Sequence, residues 1–238
     1  MKNPNRQTSI GFQVNYLLKE HGIEAKLEEI NRLSEIIKNT IEFNKKLYDI
    51  GTLDGVSLAT TVEDLMEIFM LRDEVYREID YRDEFPEPIK GLDFDEYDER
   101  SAIIYSKRNN IIEGTCRFIF DSDNKLPIDE KFSVDYLRGQ NRILAEGSRV
   151  IVRNRGGLSP DFKLMMVDTY RLLSSYKIHL VSSMTEEHVK IYENFGGFTV
   201  EKKFDYGNIK KKFFITLWKM SEVSPLFKRV FLKNVDVA

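Results

Sequence analysis

The chain has 238 residues and a formal net charge of −3, from 36 lysines and arginines against 39 aspartates and glutamates. This length suits one domain with an appended segment, and the balanced charge predicts no nucleic-acid partner. One cysteine and three histidines exclude a disulfide framework and a multi-cysteine zinc site, so we expect no dedicated metal site.

No apolar segment typical of a secretory signal opens the sequence, and no run of apolar residues is long enough to span a bilayer. We therefore expect a cytoplasmic protein.

The first predicted element is a helix over residues 24–48, where leucines and isoleucines recur at helical spacing among glutamates and lysines. We assign residues 1–50 to a helical extension and residues 51–238 to the main domain. The extension either covers the core of that domain or forms a dimer contact.

The main domain is predicted to run β-α-β-β-β-α-β-α-β-β, a mixed α/β sheet in one domain. Thr61 caps its first helix, and Ser159 followed by Pro160 begins its second. A third helix is predicted at 186–194. The predicted strands are 56–60, 102–106, 114–121, 144–153, 178–182, 198–204 and 211–218.

Arg72 lies on the apolar side of the first domain helix, between Phe69 and Tyr76 in the helical pattern. Either its guanidinium is buried and needs carboxylate partners, or its stem packs while its head reaches water. Residues 78–100 offer such partners, with ten acidic and three basic side chains. Residues 200–238 carry the opposite excess, nine basic against four acidic. The alternative interpretation of residues 78–100 is a solvated acidic face with no partner inside the protein.

Three more charges interrupt predicted strands, namely Arg117, Glu146 and Arg149. Strict alternation places Glu146 and Arg149 on opposite faces of the sheet, and Gly147 between them would permit a bulge that re-aims one of them. These charges predict a polar site in a cleft or, alternatively, a structural ion-pair network.

Four segments together resemble the acyl-homoserine lactone synthases: 71–76, 95–98, 116–118 and 146–149. Those enzymes share an Arg-x-x-x-Phe helix, an Asp-x-x-Asp loop, an Arg-Phe strand and a Glu-x-x-Arg strand in the same order. The resemblance covers roughly residues 62–200 and extends to the N-acyl amino acid synthases. It implies the GNAT acyltransferase fold, with a mixed central sheet flanked by helices.

The resemblance also implies roles for single residues. Glu146 and Arg149 are the predicted catalytic residues, with Glu146 as a base that removes a proton from an amine, directly or through water. The alternative is a structural role, in which Glu146 forms an ion pair with Arg149 or Arg72. The predicted substrate-binding residues are Arg72, Tyr76, Asp95, Asp98 and Arg117.

Two departures from the lactone synthases bear on the acceptor. Tyr76 stands where they carry phenylalanine, and Tyr81 and Arg82 stand where they carry a tryptophan. The departures favour acyl transfer to an amino-acid-like amine over lactone synthesis.

The acyl donor is expected to bind after the Glu146 strand, at a segment similar to the pantetheine-phosphate loop of GNAT enzymes. Glycines and a helix start favour a phosphate there, although a simple loop is the alternative. The predicted donor-binding residues are Val152, Arg153, Arg155, Gly156, Gly157 and Ser159. The co-substrate is then acyl-CoA or the phosphopantetheine thioester of acyl carrier protein, with no permanently bound cofactor.

Three functions stay open at this point. The first is an N-acyltransferase that moves a fatty acyl group to an amino-acid-like amine. The second is an acyl-homoserine lactone synthase of quorum sensing, which uses S-adenosylmethionine, and the third is a non-catalytic acyl-binding module. The basic segment 226–232 either covers the sheet or touches a membrane surface.

Overall fold

A computed structural model describes residues 9–47, 56–79, 87–139, 142–153, 159–206 and 209–233. Its helices are α1 (Ile10–Glu20), α2 (Leu27–Leu47), α3 (Val62–Glu78), α4 (Asp135–Arg138), α5 (Pro160–Ser175), α6 (Glu186–Phe195) and α7 (Pro225–Phe227). Its strands are β1 (Val56–Leu58), β2 (Ser101–Arg108), β3 (Ile111–Phe120), β4 (Leu144–Val152), β5 (His179–Thr185), β6 (Phe198–Tyr206) and β7 (Ile209–Lys219).

The seven strands form one mixed sheet in the order β1-β2-β3-β4-β5-β7-β6, which confirms the predicted fold class. Neighbouring strands are antiparallel except β4 and β5, which α5 connects as a crossover. These two strands pair only from Leu144 to Glu146, although β4 has nine residues and β5 has seven. The described pairing between them therefore ends at Glu146.

Local signals place the ends of the main helices and one hairpin. The Thr61 hydroxyl accepts from the Asp64 N–H at the start of α3, and the Ser159 hydroxyl accepts from the Phe162 N–H at the start of α5. The turn between β2 and β3 has positive φ at Asn109 (49°) and Asn110 (64°), the geometry that a two-residue hairpin requires. Both predicted helix caps are confirmed.

The two N-terminal helices pack against α3 on one face of the sheet. Their buried residues, which include Val14, Leu33 and Ile37, share a hydrophobic cluster with Leu65 and Phe69 of α3. Helix α2 accounts for the predicted helix over 24–48, whereas α1 was not predicted as a separate element. Among the described residues, no helix is both long and apolar enough to cross a membrane.

The opposite face of the sheet is covered by α5 and the C-terminal segment. Phe227 and Phe231 are buried there against Trp218 and Phe195. The segment 226–232 therefore covers the sheet, as one of its two interpretations predicted.

Gly196 offers a test of this packing. It ends α6 with φ of 115°, and a Cβ at this position would lie 2.9 Å from the Ser224 nitrogen. We expect Gly196→Ala to lower the free energy of unfolding by about 1–3 kcal/mol, because both backbone conformation and space oppose a side chain. Urea unfolding followed by circular dichroism measures it.

Gly139→Ala is the matched control, since Gly139 has φ of −59° and its nearest contact would be 3.8 Å away. Its free energy of unfolding should stay within about 0.5 kcal/mol of the wild type. Equal effects of the two substitutions would contradict the packing described for Gly196.

Candidate active site

A buried ion pair joins α3 to the acidic loop. The Arg72 Nη1 lies 2.9 Å from the Asp98 Oδ1, and both side chains are 0 % exposed. Of the two alternatives for Arg72, the structure supports a buried guanidinium with a carboxylate partner. Burial by itself raises the pKa of Asp98, but Arg72 and Arg117 outweigh burial and lower it to about 2.

Two strand arginines extend this pair into a network. Arg117 on β3 lies 2.5 Å from Asp95 and 3.1 Å from Asp98, and its Nε donates to the Ser148 hydroxyl. Arg149 on β4 lies 3.0 Å from Asp93 and 3.2 Å from Asp95. All these charged groups are buried. The three arginines and three aspartates form what we term the charge network: Arg72, Arg117, Arg149, Asp93, Asp95 and Asp98.

The backbone of the acidic loop aims its carboxylates inward. The Asp93 N–H donates to the Phe69 carbonyl, and the Phe94 ring packs 5.5 Å from the Phe69 ring. Asp95 then caps the 3₁₀ turn Glu96–Arg100 by accepting from the Tyr97 N–H, while Asp98 accepts from the Asp95 N–H. The interpretation of this segment as only a solvated face is therefore wrong for Asp93, Asp95 and Asp98.

Asp93 is a network residue that the motif comparison missed. Its signal in the sequence is the alternation Asp93-Phe94-Asp95, because an extended chain places residues two apart on one side.

Glu146 and Arg149 reach the same face of the sheet because β4 carries a β-bulge. The register of β3 and β4 shifts between the pairs Thr115–Ile151 and Arg117–Ser148, so one extra residue of β4 lies there. Arg149 itself has φ of 54°. The prediction that Gly147 forms the bulge is wrong. Gly147 instead allows close packing, since a Cβ there would lie 2.7 Å from the Ser182 hydroxyl.

Glu146 is 3 % exposed and accepts a hydrogen bond of 2.8 Å from the backbone N–H of Ile128. Within the described ranges, no arginine or lysine nitrogen lies within 4.0 Å of its carboxylate, so it does not form the alternative ion pair with Arg149 or Arg72. Burial raises the pKa of Glu146 to about 7, and the Ile128 N–H and the two strand arginines offset only part of that rise.

Tyr76 lies under the charge network. Its ring is buried, with the Arg149 guanidinium 5.4 Å from the ring centroid. The predicted substrate-binding residues therefore come together with Arg149, whereas the Glu146 carboxylate contacts the backbone of Ile128.

The predicted donor-binding residues are only partly described. Val152 ends β4, and Arg153 follows with its Nη1 2.7 Å from the Glu74 carboxylate. The Ser159 hydroxyl already accepts a hydrogen bond from the Phe162 N–H as the cap of α5. Arg155, Gly156 and Gly157 lie outside the described residues.

A cleft of about 640 Å³ lies elsewhere, between α2 and the turn Glu96–Arg100. Phe43, Tyr97 and Glu99 contribute to its walls. Neither Glu146 nor any residue of the charge network lines this cleft, so it is separate from both.

The model of the N-acyl amino acid synthase FeeM family matches residues 67–212, which include the charge network and Glu146. The chain belongs to this family. Membership makes it an acyltransferase and confirms the resemblance found in the sequence. The non-catalytic alternative is excluded with it.

Solved structures show the same fold. FeeM from uncultured soil microbes aligns with a TM-score of 0.60 at 17% identity, over 74% of this chain and 93% of that chain. The AHL synthase LasI aligns with 0.52 at 15% identity, over 77% and 96%. The CoA-dependent acyl-homoserine lactone synthase BjaI, with SAM and isopentyl-CoA, aligns with 0.54 at 17% identity, over 79% and 83%. No curated protein matches the sequence.

The Arg72–Asp98 pair supplies a test of the charge network. We expect Asp98→Asn to lower the free energy of unfolding by about 3–5 kcal/mol at neutral pH, because Arg72 then lacks a buried counter-charge. A lowered carboxyl pKa stabilises the fold above the unfolded value of 3.8, and that stabilisation is lost as the pH falls toward about 2. The difference between variant and wild type should shrink over that pH range in urea unfolding.

Asp135→Asn is the control, because Asp135 pairs with Lys125 at the surface. Its unfolding midpoint should equal that of the wild type. A comparable loss in both variants would argue against a special role of the buried pair.

Proposed function

We propose that the protein is an N-acyltransferase that moves a fatty acyl group from a thioester to the amine of an amino-acid-like acceptor. The observation that carries this proposal is Glu146, a buried carboxyl that forms no ion pair within the described residues and whose pKa burial raises to about 7. A general base is most effective when its pKa lies near the working pH. Family membership supports the same reaction class.

In the proposed reaction, the neutral amine attacks the thioester carbonyl, the C–N bond forms and the C–S bond breaks. Glu146 takes the proton that the amine loses, directly or through a water molecule, and the proton passes to the departing thiolate. The products are an amide and a free thiol, and Glu146 returns to its charged form. The Ile128 N–H orients the carboxylate for this step.

The charge network is proposed to form the wall against which the acceptor is positioned. Asp98 is fully buried and already paired, so we assign it to orienting Arg72 and Arg117 and not to direct contact with an amine. Asp95 likewise joins Arg117 to Arg149. Of the two roles considered for these aspartates, burial favours the orienting one.

The acyl thioester is proposed to enter between β4 and β5 beyond Glu146, where the two parallel strands stop pairing. The start of α5 follows, and its free N–H groups favour a phosphate. The structural neighbour BjaI was solved with isopentyl-CoA, which supports a thioester donor of this kind. Acyl-CoA and acyl carrier protein are both retained as donors.

The domain organisation is proposed on the same basis. We propose residues 51–238 as the acyltransferase domain and residues 1–50 as a helical extension upon it.

Glu146→Gln tests the base. Glutamine retains an oxygen that accepts the Ile128 N–H but takes no proton, so we expect a folded enzyme whose kcat falls at least about tenfold. Thioester consumption with an acyl-CoA donor measures the rate, and circular dichroism checks the fold. Glu130→Gln, at a more exposed carboxylate that accepts from Tyr97, should leave kcat unchanged. Wild-type turnover in the Glu146 variant would overturn the assignment.

The pH profile tests the same group independently. A base must be deprotonated to act, and burial raises the pKa of Glu146 to about 7. We therefore expect kcat/KM to rise with pH through about 7 and this rise to vanish in the residual activity of Glu146→Gln. A wild-type profile that is flat between pH 5.5 and about 8 would contradict the raised pKa.

Lactone synthesis is the second candidate function, because LasI and BjaI share the fold. The identity of the amine acceptor distinguishes it from N-acyl transfer to an amino-acid-like amine. We expect the wild-type enzyme to consume acyl thioester with free amino acids and not with S-adenosylmethionine. Mass spectrometry should detect an N-acyl amino acid. An acyl-homoserine lactone formed only with S-adenosylmethionine would reverse the choice.

A further inference from the structure

The cleft between α2 and the turn Glu96–Arg100 has the size of a binding site for a small molecule. Its volume is about 640 Å³, and such sites typically measure about 300–1,000 Å³. Glu42, Lys46 and Asn124 line it and are exposed, so the cleft is open to solvent. A small molecule can therefore enter it from solution.

Both walls of the cleft are fixed by hydrogen bonds to the sheet. On the side of α2, the Asn44 amide donates to the Ser101 carbonyl and accepts from the Ile103 N–H, each at 3.0 Å. On the opposite side, the Arg100 Nη1 donates to the Phe120 carbonyl at 2.6 Å. The cleft is thus formed before a ligand binds, which lowers the entropic cost of binding.

Two aromatic rings give the cleft an apolar surface. Phe43 lines it from α2 and packs edge-on against Phe120, with the ring centroids 5.4 Å apart. Tyr97 lines the other wall, where its hydroxyl donates to Glu130 and the Arg100 guanidinium lies 5.2 Å from its ring centroid. An apolar or aromatic group of a ligand is sheltered from water when it packs against these rings.

The charges that line the cleft fit a ligand with one group of each sign. Glu42 and Lys46 both line it, and they lie one turn apart on α2, about 6 Å along the helix axis. Within the described residues, neither forms an ion pair of 4.0 Å or less. By contrast, Arg100 donates to two backbone carbonyls, and Glu99 accepts from the Asn39 amide at 3.1 Å. One carboxylate and one ammonium group are therefore open to a ligand.

Two other classes of ligand fit this lining less well. A phosphate would face three carboxylates, because Glu96 and Glu99 line the cleft together with Glu42. A metal ion is disfavoured as well, since the part of the chain that the structure describes holds no group of three acidic, histidine or cysteine side chains that could bind one. A small zwitterion with an apolar part matches both the charges and the rings.

We propose that this cleft binds a free α-amino acid with an apolar or aromatic side chain. Glu42 receives the ammonium group, Lys46 receives the carboxylate, and Phe43 and Tyr97 pack against the side chain. Because Glu146 and the charge network do not line the cleft, this is an amino-acid site in addition to the place where the acceptor reacts. The ligand class follows from the lining of the cleft alone, so the inference does not depend on the proposed function.

Three ligands with the same ring test the requirement for both charges. L-phenylalanine carries an ammonium and a carboxylate, phenethylamine carries only the ammonium, and 3-phenylpropanoate carries only the carboxylate. Isothermal titration calorimetry on the full chain measures each affinity. We expect L-phenylalanine to bind at least about tenfold more tightly than the other two, because a hydrogen bond to a charged group contributes on that order. Equal affinity for phenethylamine, or no binding of L-phenylalanine, would overturn the proposal.

Glu42→Gln and Lys46→Gln test the two charges one at a time. Each should weaken the binding of L-phenylalanine at least about tenfold. Lys46→Gln should leave the affinity for phenethylamine unchanged, and Glu42→Gln should do the same for 3-phenylpropanoate. Glu35→Gln and Lys45→Gln are the matched controls, because these residues are exposed on the same helix but do not line the cleft. Both controls should bind L-phenylalanine like the wild type.

The same variants separate this site from the acceptor site of the proposed function. Binding at the acceptor site alone would persist unchanged in Glu42→Gln and Lys46→Gln, and that result would overturn the proposal. A crystal structure with L-phenylalanine should place the ligand between Glu42 and Lys46, and a ligand found only beside Glu146 would also overturn it. Calorimetry requires no turnover. If the wild type transfers no acyl group, the proposed function fails while the binding experiment still decides this site.

Discussion

The burial of three arginines with three aspartates is the constraint on which the rest of this structure depends. A buried charge is tolerated only with a partner, and removal of one partner is strongly destabilising. Arg72 lies on α3, Arg117 on β3 and Arg149 on β4, while their partners Asp95 and Asp98 lie on one loop. The charge network therefore ties a helix, two strands and the loop into one arrangement.

The same network explains the chemical property of Glu146. Its arginines are already paired with its aspartates, and in the described part of the chain no arginine or lysine nitrogen lies within 4.0 Å of the Glu146 carboxylate. Glu146 takes one backbone hydrogen bond instead, and burial dominates its pKa. A structural balance of charge thus leaves one carboxyl group with a pKa near neutrality at the point where β4 and β5 separate.

Most of the fold was predictable from local patterns, because alternation, helical spacing and caps involve residues close in the chain. The strand order along the sequence and the caps at Thr61 and Ser159 are examples. The bulge was not predictable at its true position, since Gly147 is the residue whose type suggests one. Arg149 combines a positive φ with contacts to Asp93 and Tyr76, which lie far from it in sequence.

The sequence by itself determined which charges interrupt apolar elements, and the order of the motifs that carry them. It thereby determined the family and the reaction class, because these depend on residue types and their intervals. Only the tertiary structure decided which carboxylate meets which arginine, that Glu146 forms no ion pair among the described residues, and where β4 bulges. Those outcomes depend on distances between segments as far apart as Asp93 and Arg149, and on the loss of water around them, which no local pattern records.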